Sequence, residues 1–146
     1  MPYLDRSGRW IHFTAEGTGR GLVLIPGLGS GARLFGTLPR RFAREGFHCV
    51  AIDPVGLPPS GPLPNGSYDF TEAALDVLAV AATLPEPVAL VGTSLGGKVA
   101  LRAAALASAQ TKPAVDRVVM LCSTAVPTDR KSTRLNSSHT VISYAV

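Results

Sequence analysis

The segment from Pro87 to Ala109 constrains the fold more than any other part of this chain. It opens with a short apolar run rich in β-branched residues, passes through a glycine-rich turn, and continues as an alanine-rich stretch of helix-forming residues. The turn has the form Gly-x-Ser-x-Gly, with Ser94 between Gly92 and Gly96. Because glycine tolerates tight and strained backbone, this order predicts a strand, a sharp turn and a helix, with the serine at the apex.

The chemistry of this turn depends on the amide that follows the serine. A helix that begins directly after Ser94 presents the Leu95 N–H at its N-terminus. The first amides of a helix have no acceptor within the helix and lie at the positive end of its dipole, so they stabilise developing negative charge. The pattern therefore makes Ser94 a candidate nucleophile and the Leu95 N–H a candidate oxyanion donor. The alternative is a strand–helix turn whose serine has no chemical role.

The same turn also fits a second motif, because Gly92, Gly97 and Lys98 have the spacing of a phosphate-binding loop. That motif needs a Ser or Thr directly after the lysine to hold Mg²⁺, and the residue here is Val99. We also find no later apolar strand that ends in an Asp able to serve as a second metal-binding position. A serine nucleophile is therefore favoured over a phosphate loop, and we expect neither a metal nor another cofactor.

Apolar runs alternate with helix-like segments along the rest of the chain. The first 17 residues read as a hairpin, and the further strands are predicted at Leu22–Ile25, His48–Asp53, Val88–Val91 and Val115–Cys122. Helices are predicted from about Pro39 to Glu45, over Phe70–Leu84 with Thr71 near the start as a cap, and after the Ser94 turn. Alternating strands and helices predict a three-layer α/β/α fold with a mostly parallel sheet and an antiparallel hairpin at the N-terminus.

A dinucleotide-binding fingerprint is a further alternative. Gly27, Gly29 and Ala32 have its spacing, and Asp53 ends the next predicted strand, where an acid for a ribose belongs. The helix of that motif should start at once and run without interruption, whereas Pro39 delays the regular helix here. The nucleotide interpretation is therefore the weaker one.

Composition limits the class of protein and its partners. Of 146 residues, 46% are hydrophobic and 16% charged, which indicates a globular rather than a disordered chain. The net charge is +4, but without residues 129–146 the counts fall to 11 basic and 9 acidic, too balanced for a nucleic-acid footprint. No apolar run has the length of a membrane span, and the first residues lack the apolar core of a signal peptide. We therefore expect a cytoplasmic protein, with Cys49 and Cys122 as free thiols in buried strands.

The order of these parts resembles the α/β-hydrolase fold family over about residues 1–128, the first half or so of a typical member. Ile25–Leu28 is similar to the oxyanion loop of that family, although Pro26 stands where the family usually has His. Asp53–Ser60 is similar to the family's Asp-x-x-Gly-x-x-x-Ser loop, and Gly92–Gly96 stands where its nucleophile elbow belongs.

The resemblance implies an activity and roles for particular residues. Ser94 would attack the acyl carbonyl of a small-molecule ester or related substrate, and the amides of Leu95 and Leu28 would hold the oxyanion. Members also exist without catalysis, so a protein that binds only a ligand or a partner is the alternative. The substrate, the cap domain and the oligomeric state stay open.

The chain departs from the family in its triad. The family order is Ser, then Asp or Glu, then His, and a neutral imidazole must take the serine proton. After Ser94 the only histidine is His139, and the only acids are Asp116 and Asp129. We assign neither a triad acid nor a triad histidine to this chain, and we therefore expect this fragment to be inactive.

Residues 129–146 differ in character from what precedes them. The run DRKSTRLNSSH, followed by TVISYAV, resembles the translation of an adapter used in short-read DNA libraries. It also lacks a helical apolar period and is rich in Ser and Thr. We therefore predict a partial α/β-hydrolase domain over 1–128, and a non-native, disordered tail over 129–146. A core cut short in this way is expected to fold poorly, because its last strand becomes an open edge.

Overall fold

Seven strands form a single sheet in the computed structural model of the protein, which describes residues 2–109, 112–121 and 141–145. In sequence order they are β1 (Tyr3–Arg6), β2 (Arg9–Glu16), β3 (Arg20–Ile25), β4 (Phe47–Asp53), β5 (Val88–Thr93), β6 (Val115–Leu121) and β7 (Val141–Ala145). Their order across the sheet is β1-β2-β4-β3-β5-β6-β7. The central strands β4, β3, β5 and β6 are parallel, whereas β1, β2 and β7 join by antiparallel pairing.

Helices cover both faces of this sheet. They are α1 (Leu38–Arg44), α2 (Phe70–Ala81) and α3 (Leu95–Ser108), with short 3-10 turns at Ala32–Phe35 and Pro64–Gly66. Successive strand side chains point to opposite faces, so Val23 and Val50 pack beneath α2 and α3 while Leu22 and Cys49 face α1. The fold class expected from the sequence, three α/β/α layers with an antiparallel hairpin at the start, is confirmed.

The N-terminus of α2 differs from the prediction. The cap is Asp69, whose Oδ1 accepts a hydrogen bond from the Glu72 N–H at 2.9 Å, and Thr71 lies within the first turn. The helix also ends at Ala81 rather than Leu84, because the chain tightens into turns there, with the amides of Thr83 and Leu84 bonded to the carbonyls of Val80 and Ala81.

A buried ion-pair cluster holds the β1–β2 hairpin against α2. The guanidinium of Arg9 donates to both carboxylate oxygens of Asp76, with Nε–Oδ1 2.9 Å and Nη2–Oδ2 2.7 Å. Arg6 donates to the same carboxylate at 2.8 Å and also contacts Glu72. Hydrogen bonding to Asp76 raises the pKa of Arg9 above its usual value, so the pair stays ionised although Arg9 and Asp76 are only 8% and 4% exposed.

The last described segment extends the sheet beyond β6. Five residues of the stretch expected to be disordered, Val141–Ala145, form β7 and pair antiparallel with β6, with Ser143 opposite Val119. Residues 122–140 lie outside the described residues, and with them Cys122, Asp129 and His139. The domain boundary at residue 128 therefore stays a prediction.

Candidate active site

Ser94 lies at the turn between β5 and α3, as the sequence predicts. Its backbone has φ +51° and ψ −119°, a combination that costs a residue with a side chain about 1–3 kcal/mol. The Ser94 N–H donates to the Leu121 carbonyl of β6 at 2.8 Å, which ties the turn to the neighbouring strand. The side chain makes no capping hydrogen bond to α3 and is exposed. The turn therefore places the Ser94 hydroxyl above the carboxyl ends of the parallel strands, with no hydrogen-bond partner among the described residues.

Two glycines permit this turn. A Cβ on Gly92 would lie 2.1 Å from the Gly96 carbonyl oxygen, and a Cβ on Gly96 would lie 2.3 Å from the Ile25 carbonyl oxygen. Both distances are far below van der Waals contact with backbone atoms that have little freedom to move. The absence of these side chains lets α3 start directly against β5 and beside the end of β3.

The loop after β3 runs alongside Ser94. A Cβ on Gly27 would lie 3.2 Å from the Ser94 Cβ and 3.8 Å from its Oγ. Leu28, the next residue, has a side chain that is 82% exposed. Leu95 is the first residue of α3, so its amide belongs to the group that has no acceptor within the helix. Both backbone segments expected to supply oxyanion donors therefore lie next to the serine.

A buried polar network supports the loops around the site. Asp53, at the end of β4, accepts a hydrogen bond from the Ala32 N–H at 2.8 Å through Oδ1 and bonds the His12 ring Nδ1 at 2.6 Å through Oδ2. The Ser60 hydroxyl donates to the Asp53 carbonyl at 2.5 Å and accepts from the His12 N–H at 2.8 Å. Because both oxygens of this carboxylate are engaged within the protein, Asp53 is poorly placed to bind a ribose.

Sequence reasoning missed the role of His12, which it treated as an ordinary strand residue. His12 is 2% exposed, and its Nε2 has no hydrogen-bond partner among the described residues. The available signal was the spacing of Asp53 and Ser60, which marks the loop but does not reveal which strand lies opposite. The network links β2 and β4 to the loop after β3. It therefore fixes the position of that loop, whose Gly27 lies beside Ser94.

The remaining histidines, the acids after Ser94 and Cys49 lie away from Ser94 or outside the described residues. His48 is at the amino end of β4, and Asp116 is at the amino end of β6, where it contacts Arg20. Ser94 lies at the carboxyl ends of the parallel strands, on the opposite side of the sheet along the strand direction. Burial raises the pKa of the Cys49 thiol to about 12, so it stays protonated and unreactive at neutral pH. His139 and Asp129 lie outside the described residues.

The phosphate-loop alternative finds little support in the geometry. Val99, at the position where that motif needs a hydroxyl, is 5% exposed and packs into the core, while Lys98 points to solvent. Within residues 2–109, 112–121 and 141–145, no group of three His, Cys, Asp or Glu side chains is arranged to hold a metal ion. In the same ranges, no helix is long and apolar enough to cross a membrane.

A cavity of about 290 Å³ opens beside the loop after β3. Leu28 and Leu95 line it on the side of the serine, and Tyr68 lines it from the loop before α2. Most of the other lining side chains are apolar. A volume of this size lies near the lower end of the range for small-molecule sites.

Comparison with known proteins gives a family match that spans most of the chain. The model of the alpha/beta hydrolase fold matches residues 22–143. A pimeloyl-[acyl-carrier protein] methyl ester esterase from Aliivibrio fischeri is 35% identical over 94 residues, which are 64% of this chain and 34% of that protein. An N-formylmaleamate deformylase from Pseudomonas putida is 33% identical over 106 residues, which are 72% of this chain and 38% of that protein.

Solved structures give the same result. An esterase from Exiguobacterium antarcticum superposes with a TM-score of 0.71 at 26% identity, over 86% of this chain and 46% of the esterase. The N-formylmaleamic acid deformylase of Pseudomonas putida S16 has a TM-score of 0.68 at 28% identity, over 84% of this chain and 46% of that one. The chain therefore spans a little over a third of the length of the curated relatives it matches, and less than half of these two structures.

Proposed function

Because the chain belongs to the alpha/beta hydrolase fold family, we propose that Ser94 is the nucleophile of a serine hydrolase acting on carboxylic esters or related acyl bonds. The observation that carries the proposal is the position of Ser94 at the start of α3. The residue is exposed, its backbone is strained, and it lies directly against the loop that contains Gly27 and Leu28. Strained backbone persists only where surrounding structure enforces it, and it is concentrated at functional sites. The esterase and deformylase relatives agree with this class of reaction.

The proposed reaction has two acyl-transfer steps. The Ser94 Oγ attacks the carbonyl carbon, a base takes the hydroxyl proton, and the carbonyl π electrons move to the oxygen. The N–H groups of Leu28 and Leu95 donate to this oxyanion, which they stabilise more strongly than the ground-state carbonyl. When the carbon–oxygen double bond re-forms, the alcohol leaves with the proton. Water then attacks the acyl-serine by the same route, which releases the acid and restores Ser94.

None of the described histidines is placed to act as the base for this reaction. A serine hydroxyl needs a neutral imidazole or another base to become an effective nucleophile. His12 is hydrogen-bonded to Asp53, and His48 lies at the amino end of β4, away from Ser94. The described residues after Ser94 contain no histidine. We therefore propose that the 146-residue chain alone turns over no ester, and that activity belongs to the full-length form of the protein.

A ligand-binding member of the fold without catalysis is the second candidate. It is favoured by the same lack of a histidine after Ser94 among the described residues, together with the apolar cavity beside the serine. The two candidates differ in whether Ser94 becomes covalently modified.

A fluorophosphonate probe distinguishes these candidates. We expect the full-length protein to be labelled at Ser94, and Ser94→Ala to abolish both labelling and ester turnover, since loss of a triad nucleophile commonly costs about 10⁶ in kcat. Ser108→Ala is the matched control, because Ser108 is an exposed serine on the same helix, whose hydroxyl donates to the Ala105 carbonyl. It should label as the unmodified protein does.

Two outcomes would contradict the proposal. Equal labelling of the full-length protein and of Ser94→Ala would exclude Ser94 as the nucleophile. Ester turnover by the 146-residue chain that disappears in His139→Ala would show that the segment 129–146 supplies the base, against the interpretation of that segment as non-native.

A further inference from the structure

The cavity beside Ser94 runs across the sheet. It is lined by Leu95 after β5, by Ile25 of β3, by Ile52 of β4 and by Ile11 of β2. The three strands are neighbours in the order β2-β4-β3, and Leu95 begins α3 after the next strand, β5. With adjacent strands about 4.8 Å apart, the part of the sheet that lines the cavity spans about 10 Å. It is therefore a trough that runs from Leu95, the residue after Ser94, across β3 and β4 to β2.

The walls of the trough are aliphatic. Ala73 and Val77 of α2 form one side, and the loop after β4 covers it with Val55, Leu57 and Leu63. Its volume of about 290 Å³ lies near the lower end of the range for small-molecule sites, which suits a single aliphatic chain. The loop after β4 therefore supplies part of the cover of the trough from within this chain.

The far end of the trough is polar but carries no net charge. Arg9 and Asp76 line it there, and Arg9 donates to the Asp76 carboxylate through Nε and Nη2. Arg6 and Glu72 complete the cluster on its outer side, which gives two guanidinium groups against two carboxylates. An anionic group that reached this end would lie beside the Asp76 carboxylate, in a cluster whose two positive and two negative groups give it no net attraction. A neutral chain end avoids both the repulsion from Asp76 and the loss of hydration that a buried charge would suffer.

We propose that this trough binds the apolar chain of the substrate's acyl group, and that this chain is aliphatic and neutral. The carbonyl end lies at the amides of Leu28 and Leu95, and the chain extends over Ile25 and Ile52 toward Arg9 and Asp76. This inference rests on the proposed function for the direction of the chain, whereas binding in the trough is a separate property that can be measured without catalysis.

Neutral amides test the site because they copy an acyl group and contain no ester. Octanamide is titrated into the 146-residue chain by calorimetry, and the methyl NMR signals of Ala73 and Val77 report where it binds. Each buried methylene contributes about four-fold in affinity, so we expect acetamide to bind at least 100-fold more weakly than octanamide. We expect 7-carboxyheptanamide, which has the same chain length with an anionic end, to bind at least 10-fold more weakly.

Matched variants test the location. Ala73→Leu adds a side chain into the trough from α2, whereas Ala105→Leu makes the same change on the exposed face of α3. We expect the first to weaken octanamide binding at least 10-fold and the second to leave it within two-fold. Leu57→Trp, a change in the covering loop, gives the same test if Ala73→Leu fails to fold.

The results separate the two proposals. Octanamide binding that is absent in the folded chain, independent of chain length, or unaffected by both Ala73→Leu and Leu57→Trp would overturn the acyl trough. Tighter binding of the anionic amide would overturn the neutral character of its far end. Octanamide bound in the trough of a full-length protein whose Ser94 resists the fluorophosphonate would overturn the hydrolase proposal and leave the binding site standing.

Discussion

At the scale of single residues, the site depends on the absence of two side chains. Gly92 and Gly96 are both buried, and each faces backbone atoms rather than flexible side chains. Neighbouring side chains can adopt another rotamer to admit a methyl group, but the carbonyl of Ile25 is held in β3 by the sheet. The geometry of Ser94 is therefore set by close backbone approach on both sides of the turn.

We expect Gly96→Ala to destabilise the protein by about 3 kcal/mol or more, because its Cβ would lie 2.3 Å from the Ile25 carbonyl oxygen. Gly46→Ala is the matched control: Gly46 has φ +88° but open space around its Cβ position, so only backbone strain of about 1–2 kcal/mol applies. Urea unfolding followed by circular dichroism measures both. Equal losses for the two variants would contradict the close approach of α3 and β3.

The serine turn was predictable from the sequence because its requirements are local. A glycine on each side of a serine between an apolar run and a helix-forming run specifies strand, turn and helix within a few residues. The pairing of His12 with Asp53 was not predictable in the same way. It depends on the register of β2 against β4, two strands separated in sequence by β3 and α1, and a shift by one residue would turn His12 to the other face.

At the scale of elements, the start of α2 shows how a cap is selected. Asp69 and Thr71 are both residue types that cap helices, and they lie two positions apart. Asp69 is followed by Glu72 at the third position, the spacing of a capping box, and its carboxylate accepts the Glu72 N–H. The sequence therefore contained the signal for the cap, although the threonine was the residue predicted.

We expect Asp69→Ala to cost about 1 kcal/mol, because it removes the acceptor for an amide at the start of α2 and a negative charge near the positive end of the helix. Thr71→Ala should change the free energy of unfolding by less than about 0.5 kcal/mol, since Thr71 makes only an exposed contact with Arg102. Chemical unfolding of both variants gives the comparison. A larger loss for Thr71→Ala would assign the cap to Thr71 after all.

At the scale of the whole molecule, the central parallel strands were predicted from the sequence, whereas the last strand, β7, was not. The apolar runs of β3, β4, β5 and β6 are continuous, as strands covered on both faces require, and the helices between them impose parallel pairing. The pairing of β7 with β6 depends on contacts between distant segments. The proposed acyl trough likewise arises from three strands, two helices and the loops after β3 and β4, so no single stretch of sequence predicts it.

We expect deletion of residues 141–146 to lower solubility, because it exposes the backbone N–H and C=O groups of β6 that β7 pairs. Deletion of Val146 alone is the control, since it leaves the β7 residues Val141–Ala145 in place. Light scattering at increasing concentration, with amide exchange of Val118 and Val119, measures the effect. Unchanged solubility and exchange after the longer deletion would show that β6 needs no partner on that side.

The position of β3 between β4 and β5 has a consequence for the growing chain on the ribosome. After β4 has been made, β3 has a partner on one side only, and residues 54–87 must still be synthesised before β5 can pair with the other side. At about 5–20 residues per second, this interval lasts from about two to about seven seconds. During it, the most buried strand of the finished protein has an open edge, so the nascent chain is a natural client for chaperones at this stage of its synthesis.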